Sequence, residues 1–273
     1  MDKRNRAQGW KHAKLSGHEN EKNMKELLQS NDSGLRDALK GYSEETISSV
    51  EIGGLNEKDV PCILGRKTKS KTDCVLVLGE KAKYNISIKK SKGGQAYLIT
   101  TDRFMRGFEA QMKLIIPENV KRAIHLFWGS AADTLETVAK HGVNKEYENY
   151  KKRVVGNTLN AYDGTLYNEL LAWFTKYAVE LFDFCFSKGL SAESKDWAEL
   201  LWFKNTLGEN DLNEIFNIED LKKKVKKSPT ATYGKIGGGT TIQLPFGFVQ
   251  WHLKQMQFHY DYDKLKKLTD SEE

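Results

Sequence analysis

The residues best suited to chemistry lie in one short stretch, Lys71 to Gln95, which reads KTDCVLVLGEKAKYNISIKKSKGGQ. An acid, Asp73, introduces the apolar run Cys74-Val75-Leu76-Val77-Leu78. A polar turn from Gly79 to Lys83 follows, then a second alternating run from Tyr84 to Lys89. Alternate residues of a strand point to the same face. Ile86 and Ile88 therefore face one way, and Asn85, Ser87 and Lys89 face the other. A hairpin returns that polar row to the side of Asp73. An acid, a hydroxyl and a lysine on adjacent strands are the parts needed to hold a divalent metal and a water against a phosphodiester.

The elements that must position these groups follow from periodicity. Gly17 to Ser30 reads as a helix with Met24, Leu27 and Leu28 on its apolar stripe. Glu21 shares a face with Met24 and Leu28. It is either an acid aimed at the same cleft as Asp73 or a first-turn glutamate held by the helix dipole. Residues 1–16 are basic and expected to be partly extended. A short helix or loop pair is expected within 31–59, then a strand at Thr46–Ile52 closed by Gly53-Gly54. Cys62-Ile63-Leu64 reads as a short strand feeding the basic Gly65–Lys71 loop, and Ala96–Thr100 as another strand. Asp102–Lys113 has helical spacing (Phe104, Phe108, Met112), and Val120–Phe127 is amphipathic.

From 145 to 188 the pattern is strongly helical, with Leu166, Leu170, Phe174 and Tyr177 three or four apart. Ser194–Thr206 reads as a further amphipathic helix around Trp197, Leu201 and Trp202. The run LKKKVKK, Leu221 to Lys227, reads as a solvated helix end or loop. Ala231–Leu244 is Gly-rich and strand-like, and with Phe246–Phe258 forms a hairpin or small sheet. The implied division is a core at 1–144, a helical region at 145–227 and C-terminal strands at 228–273.

Bulk properties bound the function without choosing it. The 273 residues are 39% hydrophobic and 11% aromatic, which excludes global disorder. The net charge of +6 permits a nucleic-acid partner without demanding one. Three cysteines, Cys62, Cys74 and Cys185, show no CxxC spacing and argue against a disulfide scaffold and a structural zinc site. No apolar run approaches membrane-spanning length, and the first residues lack a signal-peptide core. The expected setting is cytoplasmic, with no membrane partner.

The Asp73…Ser87-x-Lys89 hairpin resembles the core of the PD-(D/E)XK nuclease superfamily, in particular its small type II restriction endonucleases. Asn20-Glu21-Lys22 is similar to the first helix of the members that cut short CG-containing palindromes. The segment Lys254 to Phe258 is similar to their C-terminal recognition segment. Together these cover about half the chain, and the block from 145 to 206 is unmatched. The resemblance implies an α/β (α+β) fold with a central mixed β-sheet flanked by helices, a helical insertion and a C-terminal β-rich recognition segment.

It also implies roles. Asp73, Ser87 and Lys89 correspond to the first acid, the second metal-binding position and the lysine that positions the attacking water. Two positions depart from the family pattern: Thr72 replaces proline, and Ser87 replaces Asp or Glu. A serine hydroxyl is a weaker Mg²⁺ ligand than a carboxylate, so Glu21 is the candidate for the missing acid, with Glu19 next. The expected metal ligands are Asp73, Glu21 and Ser87, assisted by the Ile88 carbonyl. The expected products are a 5′-phosphate and a 3′-hydroxyl.

Base readout needs amides or cations that reach groove edges. The C-terminal segment offers Thr232, Tyr233, Lys235, Gln243, Gln250, Lys254, Gln255 and Gln257, and Ala231–Thr241 is the expected base-contacting loop. The segment Lys90 to Gln95, through Lys90 and Lys92, is expected to contact backbone phosphates, and Gln95 and Arg103 are further expected DNA-binding residues. His252 and His259 are expected as hydrogen-bonded core residues, and the tryptophans as core. The implied partners are double-stranded DNA, a cognate DNA methyltransferase and, for a palindrome, a second copy of the chain. A repair or junction-resolving nuclease, or an inactive DNA-binding protein, is the alternative.

Overall fold

The computed structural model describes residues 6–30, 32–39, 47–52, 59–79, 82–142, 153–208 and 211–270. In chain order the first elements are α1 (Arg6–Gln29), α2 (Ser33–Leu39), β1 (Ile47–Ile52), β2 (Asp59–Pro61), β3 (Lys67–Lys69), β4 (Cys74–Leu78), β5 (Ala82–Lys89) and β6 (Gly93–Thr100). Helices α3 (Thr101–Met112), α4 (Glu118–Phe127), α5 (Thr134–His141), α6 (Gly156–Tyr162), α7 (Gly164–Lys176) and α8 (Ala178–Asp183) follow. The last group is β7 (Leu200–Lys204), β8 (Asn213–Asn217), α9 (Ile218–Lys227), β9 (Thr232–Tyr233), β10 (Thr241–Leu244), β11 (Gly247–His252), β12 (Gln255–Asp261) and α10 (Tyr262–Asp270).

Two compact units divide the chain, Met1–Lys92 with Phe186–Asp220, and Gly93–Cys185 with Leu221–Glu273. This division cuts across the boundaries at 144 and 227 suggested by composition. The cause is strand pairing: β7, from the supposed helical region, inserts beside β5.

The first unit is built on a five-stranded mixed sheet in the order β1-β4-β5-β7-β8. β4 and β5 are antiparallel, whereas β5 and β7 run parallel with Ser87 opposite Leu201. Asn20, Met24 and Leu28 lie one helical turn apart on α1, and all three are buried. Met24 and Leu28 pack with Leu35 and Leu39 of α2 and with Cys74, Leu76, Ile86, Ile88, Leu200 and Trp202 of the sheet. The apolar alternation of β4 and β5 thus faces α1 and α2, as period two requires.

The second unit contains an antiparallel sheet in the order β6-β12-β11-β10-β9. Its helices bury an aromatic cluster in which Phe104, Phe108, Trp173 and Phe184 meet edge to face or offset. Asp163 caps α7 by accepting from the Thr165 and Leu166 amides.

The α/β (α+β) class, with a mixed central sheet, flanking helices and C-terminal strands, is therefore what the structure shows. Three local expectations need correction. Ser194–Thr206 is not a helix but a short 3₁₀ turn followed by strand β7. Leu200 to Phe203 are all buried, and a strand buried on both faces carries no alternation to separate it from a helix. Helix α1 begins at Arg6, so residues 6–16 are helical rather than extended. Cys62 makes only an isolated bridge to Ser191, and the strand in that region is β2. Thr46, Gly53-Gly54 and residues 145–152 lie outside the described residues.

Candidate active site

Strand pairing sets the site. Cys74 is opposite Ile86 in the β4–β5 ladder, and the Asp73 amide donates to the Ile86 carbonyl at 2.8 Å. This register leaves the Asp73 side chain beside Ser87 and the Ile88 backbone. Asp73 Oδ2 accepts from the Ile88 amide at 2.7 Å and from Ser87 Oγ at 3.1 Å. Lys89 Nζ donates to Ser87 Oγ at 2.8 Å and to the Ile88 carbonyl at 3.2 Å, and lies 3.9 Å from Asp73 Oδ2. Ser87 is thus a bridge: its proton goes to the acid and a lone pair goes to the lysine. Asn85 of the same row is drawn elsewhere, donating to the Lys195 and Trp197 carbonyls at 2.8 Å each.

Glu21 comes to this group from α1. Burial first, and then the charge of Asp73, push its carboxyl up from 4.5 to about 8, with Lys89 opposing them. The same two carboxylates add to burial in raising the Cys74 thiol. His18, one turn earlier, lies 3.8 Å from Glu21. Glu19 is exposed on the other side of the helix, so the inward acid is Glu21.

Sequence reasoning missed the group that holds α1 in place. The buried Asn20 donates through Nδ2 to the Lys204 carbonyl at 2.9 Å. Its Oδ1 accepts from the Thr206 amide at 2.7 Å and from Thr206 Oγ1 at 3.0 Å. These bonds pin α1 to the end of β7 and fix the rotation that turns Glu21 inward. The only sequence signal was a polar residue on the Met24–Leu28 stripe.

Among the described residues no three His, Cys, Asp or Glu side chains gather as a metal cluster. The donor set here is two carboxylates, a hydroxyl and a carbonyl, all hard oxygens of the kind Mg²⁺ prefers. Burial, and then the charge of Asp73, hold the Glu21 carboxyl well above the usual carboxylate range against the pull of Lys89, and a pair of neighbouring acids so placed is compatible with a divalent cation.

The expected DNA contacts fall in both units. Lys90 and Lys92 close the first, immediately after β5. In the second, Gln95 and Gln257 are joined at 2.8 Å across β6 and β12. Arg103 is exposed on α3, and Thr232 and Lys235 are exposed around β9. Gln243 is held by Lys264 Nζ at 3.1 Å and by Thr241 Oγ1 at 3.0 Å. Tyr233 stacks on Tyr167 at 4.4 Å between centroids, and its hydroxyl donates to the Tyr167 carbonyl. Burial raises that phenol. His259 is half-buried on the polar face of the sheet, 3.1 Å from Gln250 Nε2. Burial lowers its pKa.

No known protein family matches the chain, and no curated protein matches it. Among solved structures it is similar to restriction endonuclease MspI in complex with its cognate DNA. The two share 13% identity at a TM-score of 0.42, over 85% of this chain and 77% of that one. Among the described residues no helix is long and apolar enough to cross a membrane.

Proposed function

We propose that this protein is a Mg²⁺-dependent endonuclease that cuts double-stranded DNA at specific sites, in the manner of a type II restriction enzyme. The observation that carries the reading is the Asp73–Ser87–Lys89 chain of hydrogen bonds with Glu21 turned onto it. Glu21, Asp73 and the Ile88 carbonyl, with Ser87 beside them, would hold the ion. When bound, it neutralises charge on the phosphate and acidifies a water.

The protein's own groups do the rest. Ser87 Oγ and the Ile88 carbonyl fix the Lys89 ammonium in one direction. From there it donates to the attacking water or to a non-bridging phosphate oxygen, where negative charge grows. The Ile88 amide and Ser87 hydroxyl hold Asp73 in a single rotamer, so a second oxygen stays directed at the site. Water attack forms a new P–O bond as the bond to the 3′-oxygen breaks, giving a 5′-phosphate and a 3′-hydroxyl. Lys90 and Lys92 follow Lys89 directly and suit contact with neighbouring phosphates. In the cytoplasm such an activity requires a cognate methyltransferase to protect the host's sites, and a palindromic site favours a homodimer.

Incubation with supercoiled plasmid and Mg²⁺ tests the proposal. Discrete fragments with ligatable 5′-phosphate ends support it. Nicking only at branched or mismatched DNA indicates a structure-specific repair nuclease. A mobility shift without any cleavage would leave an inactive DNA-binding protein.

A further inference from the structure

We propose that the hairpin of β11 and β12 deforms the bound duplex, with Leu253 at its tip wedging between neighbouring base pairs. This rests on the reading that duplex DNA is the substrate. His252 pairs with Gln255, so the connecting loop has two residues, Leu253 and Lys254. Both are left-handed, with φ of 49° and 65°. That is the signature of a type I′ turn, for which Asn-Gly or Asp-Gly is favoured. A leucine and a lysine there strain the backbone through their Cβ atoms. Packing does not explain the choice, because Leu253 is 70% exposed. Strain held in an exposed apolar tip motivates a functional reading of Leu253.

The surface behind the tip fits the same ligand. Gln250 donates to Gln257 at 2.9 Å, and Gln257 donates to Gln95 at 2.8 Å. The His259 ring stacks on Phe248 with centroids 4.6 Å apart. This polar row spans three strands, and its amides are already ordered, so fewer rotamers are lost when they meet base edges. On the opposite face Val249, Met256 and Phe258 are buried and anchor the hairpin. Charge admits a polyanion as the occupant: residues 247–260 of the hairpin carry Lys254 beside Leu253 at the tip and no Asp or Glu. An antiparallel ribbon enters a DNA groove, and an apolar tip then unstacks a base step and bends the duplex.

A linking-number assay tests this without knowledge of the recognition sequence. Closed-circular plasmid is saturated with the protein in EDTA, relaxed by a metal-independent topoisomerase, and deproteinised. The wild type is expected to shift the topoisomer distribution. Leu253→Ala should lose at least half of that shift, with its thermal melting unchanged. It should bind intact duplex about tenfold more weakly, as loss of a buried leucine contact implies. On a duplex carrying an unpaired bubble it should match the wild type. An equal shift by Leu253→Ala, or wild-type binding without any shift, overturns the wedge while leaving DNA as the ligand. Failure of the wild type to bind plasmid at all overturns the DNA reading and the wedge with it. A change from dimer to monomer on Leu253→Ala, seen by sedimentation without DNA, assigns the tip to a second copy of the chain and overturns the proposal.

Discussion

Replacing Glu21 by Gln should make the metal-free protein more stable at alkaline pH, and the size of the gain follows from its surroundings. The carboxyl rises from 4.5 to about 8, chiefly through burial and secondly through Asp73. The folded state therefore binds a proton that the unfolded state has released between those values. Stability from this group is fully present below pH 4.5 and is lost as the pH rises through about 8. At about 1.36 kcal/mol per pH unit the limit is about 5 kcal/mol. The side chain keeps 18% of its surface exposed, and solvent and ionic screening bring the expected loss to about 2–3 kcal/mol. Urea unfolding in EDTA from pH 5 to pH 9 measures it. The wild type and Glu21→Gln should lie closest at pH 5 and diverge as the pH rises, with the variant the more stable by about 2–3 kcal/mol at pH 9. Adding Mg²⁺ at pH 9 should restore the wild type and leave the variant unmoved, since an ion that binds only the folded state stabilises it by mass action. Parallel pH curves for the two proteins in EDTA would refute the placement of Glu21 against Asp73.

Three further outcomes are expected. Asp73→Ala and Lys89→Ala should each abolish plasmid cleavage and retain a mobility shift on DNA; cleavage at the wild-type rate by either removes the assignment of the catalytic hairpin. Asn20→Ala should cost about 2–3 kcal/mol, because the Lys204 carbonyl and Thr206 amide lose their partner in a buried site. It should also raise the Mg²⁺ concentration for half-maximal cleavage, and an unchanged titration would limit Asn20 to holding the fold. Tyr233→Phe should cost about 1 kcal/mol through the lost bond to the Tyr167 carbonyl. A tenfold loss of DNA affinity at unchanged stability would instead make Tyr233 a base contact.

The hairpin bearing Asp73 and Lys89 was readable because one face of β5 is apolar (Ile86, Ile88) and the other polar (Asn85, Ser87, Lys89), which imposes a period of two on the sequence even though Asn85 to Ile88 are all buried. Helices α3, α4 and α7 were readable for the corresponding reason at a period near 3.6. Strand β7 was not, since Leu200-Leu201-Trp202-Phe203 lies in the middle of the sheet with no polar face to mark it. The early turns of α1 were not readable either, because residues 6–16 carry too few apolar side chains to form a stripe. At the site, sequence placed Ser87 near Asp73, but not the direction of its hydrogen bonds. Those depend on the Ile88 amide and Lys89 ammonium arriving together. Asn20 was invisible as an anchor because its partners, Lys204 and Thr206, are remote in sequence.

In the proposed site the second acid, Glu21, stands on a helix and not on a strand, and this has a mechanical consequence. A carboxylate at position 87 would be fixed by the same ladder that fixes Asp73 and Lys89, and the site would be complete once β4 and β5 paired. With serine there, the second acid arrives only if α1 docks with the correct rotation. That rotation is set by Met24 and Leu28 against the sheet and by Asn20 against the end of β7. If the proposed site holds a cation, folding of the helix onto the sheet is part of assembling its ligands, and the two are thermodynamically linked. Docking α1 is opposed first by the burial of the Glu21 carboxyl and then by the charge of Asp73; a cation held in the proposed site would offset both and favour the docked helix. Hydrogen exchange in α1, from Gly17 to Leu28, should therefore slow on addition of Mg²⁺ more than exchange in β5, which is held by ladder bonds on both sides regardless of the ion.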